Sequence, residues 1–144
     1  MITVKALIER TNSGKYSVYS DSDDSRLDYG LIGEGENVDE AKADFEGCYE
    51  DMCKSYKKQG KVFIEANFVF EFDMASFLNY YSKTLSLAGL SRITGINQQQ
   101  LSHYATGHKR PRPVTVHKIE YSLQNLSKDL SQVRFSEKYP RLSK

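Results

Sequence analysis

Three consecutive amides, Gln98, Gln99 and Gln100, follow a short apolar run punctuated by glycine. Their chemistry is that of reading hydrogen-bonding edges. A glutamine side chain donates and accepts at once, which is what the N6 and N7 edge of adenine presents in a duplex major groove. Asn97 precedes them as a natural N-cap, so the amides fall in the exposed first turn of a helix expected over about 98–105. His103 stands on the same helix about a turn later. Upstream, Leu90, Ile93 and Ile96 are spaced to meet Leu101 and Tyr104 across a sharp turn at Gly95, a residue free to take positive φ. Around this stretch Arg92, Lys109, Arg110, Arg112 and Lys118 can neutralise phosphates, and Asn97 and Gln100 are expected to join them at the rim of the reading turn. Together these features predict a helix-turn-helix with its reading helix at 98–105 and double-stranded DNA as its partner. The competing reading is a helical hairpin used only for protein contacts.

Charge points the same way. The 144 residues sum to a net +1, yet residues 1–73 carry 9 basic and 16 acidic side chains (net −7), against 11 and 3 (net +8) in residues 74–144. A basic half suits a polyanion and an acidic half repels one, so the two halves are expected to have different partners.

Other reactive residues give weaker patterns. Cys48 and Cys53 lie five apart on one expected helix and point in different directions, so a reduced pair in a cytoplasmic protein is expected. With His103, His108 and His117 they show no zinc spacing, and neither a metal site nor a cofactor is expected. Two-metal hydrolysis needs carboxylates that converge. Here the first strand has only Glu9 at its end, Asp21, Asp23 and Asp24 sit in a loop, and Glu46 and Glu50 read as a solvated helix pair. The expectation is therefore a protein that is not an enzyme. No run approaches the roughly 20 apolar residues that span a bilayer, so no membrane partner is expected, and MITVKALIER has no cleavage site of a secretory signal.

The elements that hold these residues follow from periodicity. Ile2, Val4, Ala6 and Ile8 alternate with polar residues, Thr11–Gly14 turn, and Tyr16, Val18 and Ser20 form the second arm of a hairpin. A third strand is expected around Leu27–Ile32, stopping at Gly33-Glu34-Gly35, and a helix from Val38 to Lys58 opened by the Asn37 cap and the capping-box acid Glu40. The alternation of Val62–Phe72 predicts a fourth strand. From Asp73 the period becomes helical, ending in a helix from Pro113 that carries Val116, Ile119, Leu123, Leu126, Leu130 and Val133 on one seam. That seam suits either a partner helix or packing on its own domain. The fold class is α+β: a small antiparallel sheet with one helix, in the order βββαβ, over residues 1–72, then an all-helical domain over 73–144.

Leu90 through Pro111, with its glycine turn, paired glutamines and Gly-x-Lys/Arg-x-Pro ending, resembles the phage-repressor (Xre/Cro-type) helix-turn-helix. Carried over residue by residue, the resemblance implies base contacts by Gln98, Gln99 and His103, with histidine standing where glutamine, serine or arginine is commoner. The first half, with Asn37-Val38-Asp39-Glu40-Ala41 opening its helix after a glycine-rich strand end, resembles the N-terminal domain of HicB antitoxins. That resemblance implies a partial ribonuclease-H-like fold and a small basic partner, a HicA-like mRNA-cleaving toxin of a type II toxin–antitoxin pair. It also implies repression of the shared operon by a homodimer or higher oligomer. The Pro-Asp-x-Pro-Gly segment usual in the family is replaced by Asp21–Tyr29. The alternative reading is an orphan transcriptional regulator whose first domain oligomerises or senses a ligand.

Overall fold

A computed structural model describes residues 1–138. The chain divides into two compact units, Met1–Lys83 and Thr84–Lys144. The first contains β1 (Ile2–Arg10), β2 (Tyr16–Ser20), β3 (Ile32–Gly35), α1 (Val38–Lys58), β4 (Ala66–Phe72) and α2 (Met74–Tyr80). The second contains α3 (Leu87–Thr94), α4 (Gln98–Ala105) and α5 (Pro113–Ser131). The protein is α+β, with a mixed four-stranded sheet in the order β3-β2-β1-β4 and five helices among the described residues. None of these helices is long and apolar enough to cross a membrane.

In the first unit, alternation along β1 and β2 puts Val4, Ala6, Ile8, Tyr16 and Val18 on one face, where Val38, Ala41 and Phe45 of α1 cover them. Phe45 is 1% exposed, and burying such a ring contributes about 1.5–3 kcal/mol. The start of α1 is set locally. Asn37 Oδ1 accepts from Glu40 N–H at 2.8 Å, and Glu40 Oε2 reaches back to Glu36 N–H at 2.9 Å. Asp39 and Glu40 at one end and Lys57 and Lys58 at the other match the helix dipole.

Four expectations need correction. The sheet is not wholly antiparallel: β4 pairs parallel with β1, from Ile2–Ala66 to Ile8–Phe72, because α1 crosses over between the strands before it. The third strand starts at Ile32 and includes the glycines expected to end it. A Cβ on Gly33 would stand 2.3 Å from Phe45 N, and one on Gly35 2.6 Å from Ala41 N, so these glycines let the strand lie directly under α1. The fourth strand starts at Ala66, not Val62. Phe63 stacks on Tyr29 with centroids 4.9 Å apart, so the odd position turns inward and Val62 is left 88% exposed. Finally, the first unit ends after Lys83 rather than Phe72. Ser76 Oγ accepts from Arg10 N–H at 2.8 Å, and the Tyr80 ring packs 5.0 Å from Tyr16, which fastens α2 to the strands.

The second unit is helical. Leu90, Leu101, Tyr104 and Ile119 are its buried apolar residues. The α5 seam reaches past this small core: Ile119 is 2% exposed, while Leu130 is 60% exposed. Residues 139–144 of the domain expected over 73–144 lie outside the described residues.

Candidate nucleic-acid interface

The turn between α3 and α4 is fixed by its own side chains. Ser86 caps α3 by accepting from Gly89 N–H at 2.9 Å. Gly95 ends that helix in the left-handed region at φ 74°, where a Cβ would be strained, and its N–H donates to the Ser91 carbonyl. Ser91 Oγ donates to the Ile96 carbonyl at 2.6 Å. Thr94 Oγ1 donates to the Leu90 carbonyl at 2.7 Å and accepts from Ile96 N–H at 3.1 Å. Ile96 therefore has both backbone groups bonded by hydroxyls, and the entry direction of α4 is held. Sequence reasoning missed Ser91 and Thr94; the signal was two hydroxyl residues in the last turn of a helix that ends at glycine.

Asn97 caps α4, its Oδ1 accepting from Gln99 N–H at 2.7 Å. Its side chain is thus committed to the helix, although the residue itself is exposed. Gln98 and Gln99 are exposed, with amides that bond to nothing among the described residues. Gln100 differs: half-buried, it donates from Nε2 to the hydroxyl of buried Tyr104 at 2.9 Å. His103 is half-buried with its ring 5.1 Å from that of His108, tilted 62°. Its Nδ1 is buried without a hydrogen-bond partner among the described residues, which leaves Nε2 as the nitrogen for an outside group.

The expected cations are exposed. Arg92, Lys109, Arg110, Arg112 and Lys118 have no carboxylate partner among the described residues. Lys118 Nζ lies 3.8 Å from where a Cβ on Gly95 would stand, so its charge sits beside the turn. Lys109, Arg110 and Arg112 line a concavity of about 520 Å³ with Gln100, Tyr104, Val114 and Thr115. Arg112 is the N-cap of α5 but offers no side-chain cap, Pro113 has no N–H, and Thr115 N–H is turned back to the Arg112 carbonyl at 2.9 Å. Because Arg112, Val114 and Thr115 line it, the positive end of the α5 dipole lies beside the same concavity. Cationic side chains beside a helix amino terminus suit a phosphate. Val114 and Thr115 were missed because only the fold of the unit, in which α3 meets both α4 and α5, brings them to this concavity.

The other reactive residues do not assemble. Cys48 and Cys53 are free thiols, and no group of three or more histidine, cysteine or acidic residues among the described residues could hold a metal. Asp24 is taken by Arg26, whose guanidinium lies 2.6 Å from Oδ2 and holds the carboxyl down at about 2. Glu9 accepts from Tyr19 OH at 2.5 Å, and that bond pushes the phenol up to about 12.

No family model matches this chain, and neither a characterised protein nor a solved structure matches it.

Proposed function

We propose that this chain is a sequence-specific DNA-binding antitoxin that represses its own operon and holds a small basic, HicA-like mRNA-cleaving toxin. In this reading α3 and α4 form a helix-turn-helix. Gln98 and Gln99 meet base edges, joined by Nε2 of His103, while Arg92, Lys109, Arg110, Arg112 and Lys118 hold phosphates on either side. Asn97 and Gln100 contribute at the rim, each with the groups left over from its internal bond. The mechanism is occupancy rather than catalysis: a dimer sits on the operator, and cationic contacts set its affinity.

One observation carries the reading. Two unbonded amides lead a helix whose turn and cap are locked, beside five cations with no carboxylate partners among the described residues. A solvated helical hairpin has no need to hold such groups so firmly. The acidic first unit, with 10 basic and 16 acidic side chains over Met1–Lys83, supports a basic protein as its partner. Titrating the purified chain on its own promoter at several salt concentrations tests the DNA reading. The expected result is tight binding there, a steep loss with salt and much weaker binding to unrelated duplex. Equal affinity for both duplexes would remove sequence reading.

A second reading keeps the DNA-binding unit and makes the chain an orphan regulator whose first unit only self-associates. The uncovered β4 strand at the edge of the sheet favours it. Purification from its native host decides between the two: a stoichiometric small basic protein supports the antitoxin, and the chain alone supports the orphan.

A further inference from the structure

The two edges of the sheet differ in how their backbone is closed. At β3, only four residues long, Asp44 Oδ2 takes the Glu34 N–H at 2.8 Å, and Gly33 and Gly35 draw the strand beneath α1. At β4 the edge is seven residues of regular strand with neither proline nor glycine. Its ladder to β1 uses the odd positions: Ile2 N–H donates to the Glu65 carbonyl and Asp73 N–H to the Ile8 carbonyl, both at 3.4 Å. The N–H and C=O groups of Phe68, Phe70 and Phe72 therefore point away from β1. Among the even positions, Ala66 N–H is taken internally, by Tyr49 OH at 3.1 Å.

Each face of this edge exposes apolar surface, although Val69 stands between Asn67 and Glu71 on its face. Val69 is 51% exposed on the face without a helix. Phe68, Phe70 and Phe72 are only half-buried on the other, because α1 packs chiefly over β2 and β3. A long regular edge of this kind is a template for another strand, and natural sheets rarely leave one open.

The sequence identifies that strand. Ala66-Asn67-Phe68-Val69-Phe70-Glu71-Phe72 reads nearly alike in both directions from Val69. Laid antiparallel on itself about an axis through Val69, it sets Phe68 against Phe70 of a second copy, Asn67 against Glu71, and Val69 against itself. The outward-pointing even residues then form the hydrogen-bonded pairs. Val69 falls in a non-hydrogen-bonded pair, where Cα atoms approach to about 4.5 Å. Neighbouring registers are worse. Centring on Phe68 opposes Glu71 with Glu65, and centring on Phe70 opposes Val69 with Glu71. We propose that β4 pairs antiparallel with β4 of a second copy in the Val69-centred register, joining two four-stranded sheets into one. The contact is isologous, as a two-fold dimer requires. It stands independently of what the second unit binds.

The test is the mass of the full chain in solution, by sedimentation and light scattering over a concentration series, with two substitutions. Val69→Glu places two carboxylates together at the axis, while Lys5, the neighbour of Val69 across β1, keeps each compatible with its own sheet. It should raise the dimer dissociation constant by roughly tenfold or more, with an unchanged circular dichroism spectrum. Val69→Cys should give, on mild oxidation, a covalent dimer linked through position 69, identified by peptide mass. A chain that is monomeric throughout the series overturns the proposal. So does a dimer that ignores Val69→Glu and forms no disulfide through position 69.

Discussion

The first unit gathers most of its buried apolar residues into one cluster between a sheet and a helix, and several of its charges are tied to local structure. Asp24 is bonded to Arg26, Asp44 to Glu34 N–H, Glu40 to Glu36 N–H, Glu71 to Lys5 and Glu36 to Lys15. The second unit rests on a few buried side chains around Leu101 and Ile119, and its cations around α4 are tied to nothing among the described residues. With 10 basic and 3 acidic side chains over Thr84–Lys144, it has too few carboxylates to neutralise them internally. The contrast teaches where to look for partners. Charges that stabilise their own fold carry little information about binding, whereas a locked backbone presenting unmatched cations and amides costs stability that a bound polyanion would return.

If the units are separate bodies, damage to one core should leave the other standing, and this is the largest effect expected. Phe45→Ala removes a ring that is 1% exposed and contacts Phe68 and Phe70 edge-on, at 4.9 and 5.8 Å. It should cost about 3–5 kcal/mol, and Leu101→Ala in the other core about 2–5 kcal/mol. Calorimetry should show two transitions, with each substitution lowering only one. A single transition lowered by both would make the chain one cooperative body.

The next effect separates reading from gripping. Because Gln98 is exposed at the start of α4 with a free amide, Gln98→Ala should lose about 1–3 kcal/mol on the operator and relax base preference there. Equal loss on random duplex would contradict a base contact. Arg110→Ala is the counterpart. It lines the concavity at the start of α5, so it should weaken all duplexes alike and flatten the salt dependence by about one unit. An unchanged slope would take Arg110 off the phosphate.

What the sequence revealed follows the same division between local and non-local causes. The bounds of α1 were legible because its cap, its dipole charges and its apolar stripe are all encoded within the helix and its flanks. The turn at Gly95 and the Asn97 cap were legible for the same reason. Gly33 and Gly35 were read as a stop because their purpose, room for the backbone of α1, lies in residues up to a dozen positions downstream. Alternation carried the fourth strand too far because Val62 keeps the period while Phe63 takes the inward place against Tyr29. At the candidate site the residue types were legible but their commitments were not. Gln100 and His103 are polar residues of the same short helix as Gln98 and Gln99, yet both are half-buried, Gln100 bonded to Tyr104 and His103 with its Nδ1 buried.

The smallest effect concerns a charge of the acidic unit that is tied to its own loop. Arg26 bonds both oxygens of Asp24, at 2.9 Å from Nε to Oδ1 and 2.6 Å from Nη2 to Oδ2, and its Nη2 also donates to the Thr3 carbonyl at 2.8 Å. The guanidinium holds the carboxyl at about 2, below its ordinary 3.8. A group whose folded value is depressed contributes stability above its unfolded value and loses it as pH falls through the folded one. The loop should therefore stay fastened to β1 down to about pH 4 and loosen between there and about pH 2. Carboxyl chemical shifts should place the Asp24 midpoint near 2, and Arg26→Ala should return it towards 3.8. Since the Arg26 side chain is 54% exposed to solvent, salt should raise the midpoint in the same direction and leave the Arg26→Ala chain almost unmoved. If salt moved both chains equally, the depression would belong to the field of the whole unit and not to this pair.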